Sequence, residues 1–419
     1  MASPSPFAIP WGECMEQVAI VPKKLSGNLT VPPSKSAAHR LLICASLSAG
    51  ESRIENVDLS QDISATISAA RALGSQITET ENSFLCKRGE ACFEEETLID
   101  CAESGSTLRF FIPIALAFGG RFRFAGRGRL LERPLDSYFD ICREKGIHFE
   151  KDERGILFCG KLSGGTYRLP GNVSSQYVSG LLFALPLLSE DSKIVITSPL
   201  ESAGYVDMTL SALSAFGICI ENKDYQEFYI RGGQSFRACQ MAVEGDYSQA
   251  AFYLVANALG SDVRLSGLEE NSLQGDKAIT EIIKSMGTPL SARTIDVSGV
   301  PDLVPVLTVL ATQAEGETKL VNAARLRIKE SDRLATITQE LTKMGADIKE
   351  LPDALIIRGK TNLRGAVCDA HNDHRIAMAI AIAATVAEGE VTISGANCVR
   401  KSYGKFWDDY QKLGGIIHG

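Results

Sequence analysis

Two kinds of helical segment alternate along the chain. The first is amphipathic and stops at a glycine, six times over: Gly74, Gly146, Gly217, Gly287, Gly345 and Gly414, at intervals of 72, 71, 70, 58 and 69 residues. Glycine just past a helix adopts the left-handed conformation that other residues resist, so each marks a helix end. After the first five comes an alternating or β-rich stretch with a polar turn, as in residues 346–359, which predicts strands and usually a hairpin. The second kind of segment is apolar nearly all round and rich in Ala, Leu and Ile, at about residues 36–48, 106–118, 175–188, 248–259, 302–314 and 374–387. Helices of that composition belong inside a core. Each runs into a short strand, such as residues 121–124, 194–197 and 390–394.

The repeating unit is therefore strand, buried helix, strand, amphipathic helix and two further strands, a βαβαββ pattern of about 70 residues. The fold class is α/β (α+β), with buried helices and outer sheets. Six such units in 419 residues give two domains of three.

The starts of the buried helices carry the chemistry. They are the segments Ser34 to Arg40, Glu103 to Arg109, Ser174 to Gln176, Glu244 to Ser248, Pro301 with Asp302, and Asp373 to Arg375. Small hydroxyl residues, Gly and Arg dominate. A helix start offers unpaired N–H groups and positive dipole character, so it binds anions. Ser and Asp there are also ordinary caps. Lys or Arg at three of the six starts favours a shared anionic site over capping alone.

Composition narrows the function. Hydrophobic residues make up 45% of the chain, and 43 Lys plus Arg stand against 51 Asp plus Glu, a net charge of −8 with no basic run. That balance argues against a sequence-independent nucleic-acid binder. The longest uncharged apolar stretches, 177–188 and 376–387, fall short of the roughly 18 to 20 residues a bilayer span needs. The opening Met-Ala-Ser-Pro-Ser-Pro lacks the features of a secretory leader, so no membrane role and a cytoplasmic location are expected. Eleven cysteines include no Cys-x-x-Cys pair and no zinc-like spacing with the five histidines. Those in apolar runs, Cys44, Cys159, Cys219 and Cys368 among them, read as small buried hydrophobes in a reducing compartment.

Eight short strings, in order and spacing, resemble the 3-phosphoshikimate 1-carboxyvinyltransferase family of the shikimate pathway. They are Ser34-Lys-Ser-x-x-x-Arg40, Ser104-Gly-Ser-Thr-Leu-Arg109, Glu132-Arg-Pro134, Ser174-Ser-Gln176, Glu244-Gly-Asp246, Arg327-Ile-Lys-Glu-Ser-Asp-Arg333, Asn372-Asp-His-Arg375 and Lys401-Ser402. Eight strings in register from about residue 20 onward are far more specific than any one. The resemblance implies the two-domain enolpyruvyl transferase fold, with the site in the cleft between domains. One domain would span 33–242, and the other 1–32 with 243–419, the first strand of the chain joining the second domain. The implied reaction moves the enolpyruvyl group of phosphoenolpyruvate to the 5-hydroxyl of shikimate 3-phosphate and releases phosphate. No metal or organic cofactor, no nucleic acid, no membrane and a monomeric chain are implied.

Both substrates are small polyanions, so the site must gather cations within an acidic protein. By resemblance, Ser36, Arg40, Ser174, Ser175, Ser202 and Tyr205 hold shikimate 3-phosphate, together with Lys35, Gln176, Asp302 and Lys329. Phosphoenolpyruvate falls to Arg133, Arg333 and Arg375, which can grip carboxylate or phosphate through paired hydrogen bonds, helped by Gly105, Glu330, Gln176, Lys35 and Lys401. The catalytic set is Lys35, Asp302, Glu330, His374 and Lys401. On residue type alone Asp302 reads as a helix cap and Glu330 as a surface partner of Arg327 or Arg333. Which group carries each proton stays open. Cations gathered from both domains repel until anions bridge them, so domain closure on binding is expected.

Three features depart from the family pattern. Glu103 and Ser104 stand where Asn and Ala or Ser are more frequent before a Gly-Thr whose Thr is here Ser106, Arg325 stands near a frequent Asn, and Ala203-Gly204 replaces a frequent Lys-Pro. The rival is UDP-N-acetylglucosamine enolpyruvyl transferase, of the same fold, which usually carries a reactive Cys beside its Arg-Pro motif. The segment Gly126 to Arg133 has none. A noncatalytic binding protein on the same scaffold is the alternative of another class.

Overall fold

Helices that are apolar all round can be buried only if other elements enclose them, and here each is wrapped by its neighbours, amphipathic helices and sheets. The structure, a computed structural model, describes residues 16–419 apart from 82, 91, 92 and 94, so the N-terminal residues read for a leader lie outside it. In chain order the first helices are α1 (Lys35–Leu47), α2 (Gln61–Ala72), α3 (Gly105–Phe118), α4 (Asp136–Lys145), α5 (Ser175–Ala184) and α6 (Ala203–Ala215). The rest are α7 (Tyr247–Ala258), α8 (Ile279–Met286), α9 (Val304–Thr312), α10 (Arg333–Lys343), α11 (His374–Ala384) and α12 (Phe406–Lys412). The odd-numbered helices are the predicted apolar set; in α11 every residue is buried. The even-numbered ones end at the six predicted glycines, all with φ between 68° and 93°.

Three predicted helices are shorter than the apolar runs that mark them: α11 stops at Ala384, three residues short of the end of its run, and two others give way to 3-10 turns at one end. Residues 185–187 form a 3-10 turn after α5, where Pro186 lacks the N–H needed to continue the helix. A 3-10 turn over Pro301–Leu303 likewise precedes α9. The cysteine reading also needs correction: Cys44 and Cys368 are buried, but Cys159 is half-buried and Cys219 exposed, because Cys219 precedes the outermost strand of its sheet, Ile220–Lys223.

Five four-stranded sheets and one of two strands occur among the described residues. The larger ones share one plan, a parallel pair followed by two antiparallel strands, as in Thr97–Asp100, Gly120–Ala125, Gly155–Gly160 and His148–Asp152. The strand Gln17–Val21 fills the third place in the sixth unit, between Val391–Ser394 and Ile416–His418. The fourth unit departs from the predicted pattern. Its strand Asp262–Ser266 pairs only with Ser26–Thr30, and no hairpin follows Gly287. The 58-residue interval after Gly287, the shortest of the five, leaves too few residues for one.

Buried hydrophobic residues form two separate cores. One draws on residues between Ala38 and Val243, the other on Val18 to Leu29 together with Ala251 to Ile417. The chain crosses between them at two adjacent points, where Ser34 N donates to Glu244 O at 2.7 Å and Asp246 N to Pro32 O at 2.9 Å.

In the first core α3 and α5 touch closely because Gly180 has no Cβ; one would collide with the Tyr138 hydroxyl and the Arg109 carbonyl. Pro113 within α3 lacks the N–H that would reach back to that carbonyl. The Tyr138 hydroxyl donates to it instead, at 2.6 Å. Replacing Tyr138 by Phe strands a buried carbonyl, so denaturant titration should show a loss of about 1–3 kcal/mol. An unchanged midpoint would mean that Arg109 O finds another donor.

Candidate active site

All six buried helices begin at one cavity, whose wall includes Lys35 and Ser36 of α1, Gly105 and Ser106 of α3, and Ser175 and Gln176 of α5. Ser248 and Gln249 of α7, Asp302 before α9, and His374 and Arg375 of α11 complete the set. The capping reading holds for five of these starts. Ser34, Ser104, Ser174, Asp246 and Asp373 each accept from an N–H of the first turn. It fails for Asp302, whose carboxylate makes no cap and turns to cations instead. Asp246 also accepts from Lys35 N at 3.0 Å, so one carboxylate fixes the starts of α1 and α7 where the chain crosses between cores.

On the first-core side Arg40 is fully enclosed. Its Nε donates to Thr209 Oγ1 at 2.8 Å and its Nη2 to Tyr205 O at 2.9 Å, while the guanidinium lies 5.4 Å from the centre of the Phe110 ring. Burial lowers its pKa to about 10, still far above neutrality. Lys35 Nζ pairs with Asp62 at 2.7 Å. Arg133 lies across the start of α3, where a Cβ on Gly105 would stand 2.7 Å from Arg133 Nη1 and push the guanidinium aside. Gln176 is pinned between Arg109 Nη1 and Ser106 Oγ, at 2.8 and 2.9 Å.

On the second-core side cations converge on two carboxylates. Asp302 Oδ1 accepts from Arg333 Nη1 at 2.8 Å and Lys329 Nζ at 3.3 Å. Its Oδ2 accepts from Arg375 Nη2 at 3.2 Å and Tyr205 Oη at 3.3 Å. Burial alone would raise the Asp302 carboxyl, but Arg375, Lys329 and Arg333 together hold it well below the usual carboxylate range. Glu330 accepts from Arg333 Nη2 at 2.7 Å and lies 3.7 Å from Arg133 Nη2. There too burial is outweighed, chiefly by Arg333 and Arg133, and the carboxyl stays ionised. Glu330 is thus no surface residue. His374 is buried with neither ring nitrogen hydrogen-bonded among the described residues; burial first, then Lys35 and Arg375, push its pKa well below the usual value, so the ring is neutral.

Of the expected site residues, Lys401 alone does not line the cavity. Its Nζ instead bonds Glu103 Oε2 and Asn372 O, both at 2.7 Å. Ser202 lies at the wall and accepts from Arg325 Nη2 at 2.8 Å. Sequence reasoning did not single out Asp62, and it took in Arg109, Ser106 and Asp246 only as members of helix starts and not as ligand-holding residues; all four line the cavity. For Arg109 the signal was present, a lone charge within an otherwise apolar helix. Asp62 carried none, since its approach to Lys35 depends on how α2 packs.

A family model described as EPSP synthase (3-phosphoshikimate 1-carboxyvinyltransferase) matches residues 20–410. The chain belongs to the EPSP synthase family. A curated 3-phosphoshikimate 1-carboxyvinyltransferase from Clostridium perfringens is 49% identical, over 97% of this chain and all of the relative. One from Clostridium kluyveri is also 49% identical, over 96% of this chain and 98% of its own. The solved EPSP synthase of Acinetobacter baumannii superposes with a TM-score of 0.79 at 26% identity, covering 96% of this chain and 100% of that one. The enolpyruvyl transferase NikO of Streptomyces tendae shares the fold, with a TM-score of 0.78 at 17% identity over 96% of this chain and 98% of its own. These likenesses do not favour the UDP-amino-sugar alternative for this EPSP synthase family member.

The depressed carboxyls tie stability to pH. A group whose folded pKa lies below its ordinary value, 3.8 for Asp302, stabilises the fold above that value and stops doing so as pH falls through the folded one. Asp302→Asn removes the shared partner of three cations, at a cost on the order of 3 kcal/mol near neutrality. Thermal melts should show the gap holding down to about pH 4 and narrowing between about pH 4 and pH 2, where the parent loses more Tm than the variant. A gap that stays constant would mean that Asp302 is not held ionised by its neighbours.

Proposed function

We propose that the protein transfers the enolpyruvyl group of phosphoenolpyruvate to the 5-hydroxyl of shikimate 3-phosphate, as its family name describes. The observation that carries this reading is the convergence of six helix starts, cations from both cores and two ionised carboxylates on one cavity. Arg40 with Lys35, Ser36, Ser174, Ser175, Ser202, Tyr205 and Lys329 is assigned to shikimate 3-phosphate. Arg133, Arg333 and Arg375 are assigned to phosphoenolpyruvate, beside Gly105 and within reach of Glu330, with Lys401 completing the set from beyond the wall. Gln176 borders both. Asp302 touches both groups, through Tyr205 on one side and Arg333 and Arg375 on the other, and is assigned as the base at the 5-hydroxyl, a role it takes up as substrate anions draw those arginines away and its basicity rises.

In the addition step the 5-hydroxyl oxygen bonds the central carbon of phosphoenolpyruvate as its proton leaves, and the methylene carbon gains a proton to become methyl. Elimination then expels phosphate and returns a methyl proton to the enzyme. Glu330 is assigned as the acid at carbon. Ionised when its arginines have no other anion, it becomes protonatable once substrate phosphate and carboxylate share Arg133 and Arg333. Lys35 and neutral His374 are the reserve carriers.

The domains are proposed as 33–242 and 1–32 with 243–419, a division that the two separate cores support. A cytoplasmic monomer is proposed as well. No helix among the described residues is long and apolar enough to cross a membrane, and one chain supplies every group at the cavity.

Mixing the protein with both substrates should release phosphate; none from folded protein would favour a noncatalytic binder. Glu330→Gln should slow methylene protonation by roughly 10² or more. In deuterated water the parent should return labelled phosphoenolpyruvate. A variant that binds both substrates yet exchanges label as fast would move the role to Lys35 or His374. Cys101→Ser should leave turnover within a few-fold, because burial raises that thiol's pKa and keeps it from acting as a thiolate.

A further inference from the structure

One buried histidine has no part in the chemistry above. His39 lies on α1 between Ser36 and Arg40, which line the cavity, but is itself behind the wall and 1% exposed. Residues four apart share a helix face, so Lys35 and His39 look the same way on α1, as do Asp62 and Thr66 on α2. The two faces meet in two rungs. Lys35 Nζ pairs with Asp62 at 2.7 Å, and one turn further along both helices His39 Nδ1 lies 2.7 Å from Thr66 Oγ1. The contacts then run on to α3: Thr66 Oγ1 is 2.7 Å from Thr107 Oγ1, which is 2.8 Å from Ser104 Oγ. Thr66, Thr107 and Ser104 are as deeply buried as His39.

The far end of this chain of groups sets its direction. Thr107 Oγ1 donates to Ser104 Oγ, the cap of α3, which also accepts from Thr107 N at 3.2 Å. A hydroxyl has one proton. With that of Thr107 engaged, Thr107 accepts from Thr66, and Thr66 in turn accepts from His39, whose proton is therefore on Nδ1. Burial first, then Lys35 and Arg40, push the pKa of His39 well below the usual value, so the ring is neutral and Nε2 bears a lone pair. That nitrogen has no hydrogen-bond partner among the described residues, and the ring stands nearly perpendicular to Phe110 with centroids 6.5 Å apart. The opposite tautomer would set a lone pair against Thr66 and break one link.

The links end at the part of α3 that faces the cavity. Ser104 fixes where the helix begins, and its cap leaves the N–H groups of Gly105 and Ser106 without an intrahelical partner, beside Arg133. We propose that His39 is a positioning residue: as the Nδ1–H tautomer it heads a one-way relay through Thr66 and Thr107 that holds the Ser104 cap, and with it the start of α3, in place for phosphoenolpyruvate. Every member belongs to the first-core helices α1, α2 and α3, so the relay owes nothing to contacts between the cores. Naming phosphoenolpyruvate rests on the function proposed above, which phosphate release by the unmodified protein tests separately.

Nitrogen NMR of the ligand-free protein with labelled histidine reads the tautomer, the His39→Asn spectrum identifying the signal by its loss. Nδ1 should be protonated and Nε2 bare. Thr66→Val keeps the shape but removes the hydroxyl, and should raise KM for phosphoenolpyruvate roughly tenfold, the effect of about one hydrogen bond, with KM for shikimate 3-phosphate changed by less than about twofold. Thr66→Ser keeps the hydroxyl and should stay near the parent. His39→Asn, whose amide can donate in place of Nδ1–H, should do the same, while His39→Leu should match Thr66→Val. Circular dichroism checks that each variant is folded, and Thr107→Val, which cuts the next link, gives the same reading where Thr66→Val is not. A proton on Nε2 in the parent, an unchanged phosphoenolpyruvate KM in folded Thr66→Val, or an equal rise for both substrates would overturn the relay. Absence of phosphate release from the unmodified protein would count against the proposed function instead and leave the tautomer to decide the relay.

Discussion

The structure depends on the burial of six helices that have almost no polar side. A helix surrounded by apolar neighbours can satisfy its backbone everywhere except at its ends, where the first N–H groups lack partners. Here those first turns are brought to a single cavity between two cores. Five are capped by side chains, but each cap satisfies only one or two N–H groups, so the positive ends still face the cavity. An anion site thus follows from the packing before any lysine or arginine is added.

The cations raise that tendency and create a difficulty of their own. Arg333 is 1% exposed, and in water's absence an uncompensated guanidinium is costly. The chain answers with Asp302, Glu330 and Asp373, which share it. Two of these carboxylates are the ones assigned to proton transfer. Their ionisation is set by the same arginines that substrate anions would occupy, so binding and acid–base state are linked through Arg333 and Arg133. The neighbouring His374 stays neutral for the converse reason, burial among cations.

Much of this was legible along the chain because it is periodic or local. The six apolar runs matched α1, α3, α5, α7, α9 and α11 to within a few residues, since all-round hydrophobicity admits no other placement. The six glycines marked helix ends because a left-handed residue is needed there. What could not be read was pairing across long separations. Lys35 with Asp62, Arg109 with Gln176, and Lys401 with Glu103 join residues whose proximity exists only once helices pack. Asp302 was ambiguous for another reason. A helix-start aspartate caps by default, and only the 3-10 turn over Pro301–Leu303 leaves its carboxylate free for cations. The missing hairpin of the fourth unit was foreshadowed by its short interval alone.

The central claim is that the converging helix starts and the cations beside them form one site for two polyanions. A crystal structure with shikimate 3-phosphate and an unreactive phosphoenolpyruvate analogue tests it most directly. The account predicts both ligands side by side in the cavity, one phosphate at Ser174 and Ser175 and the other anion at the start of α3 between Arg133 and Arg333. Ligands held elsewhere, or by surface lysines away from the helix starts, would contradict it.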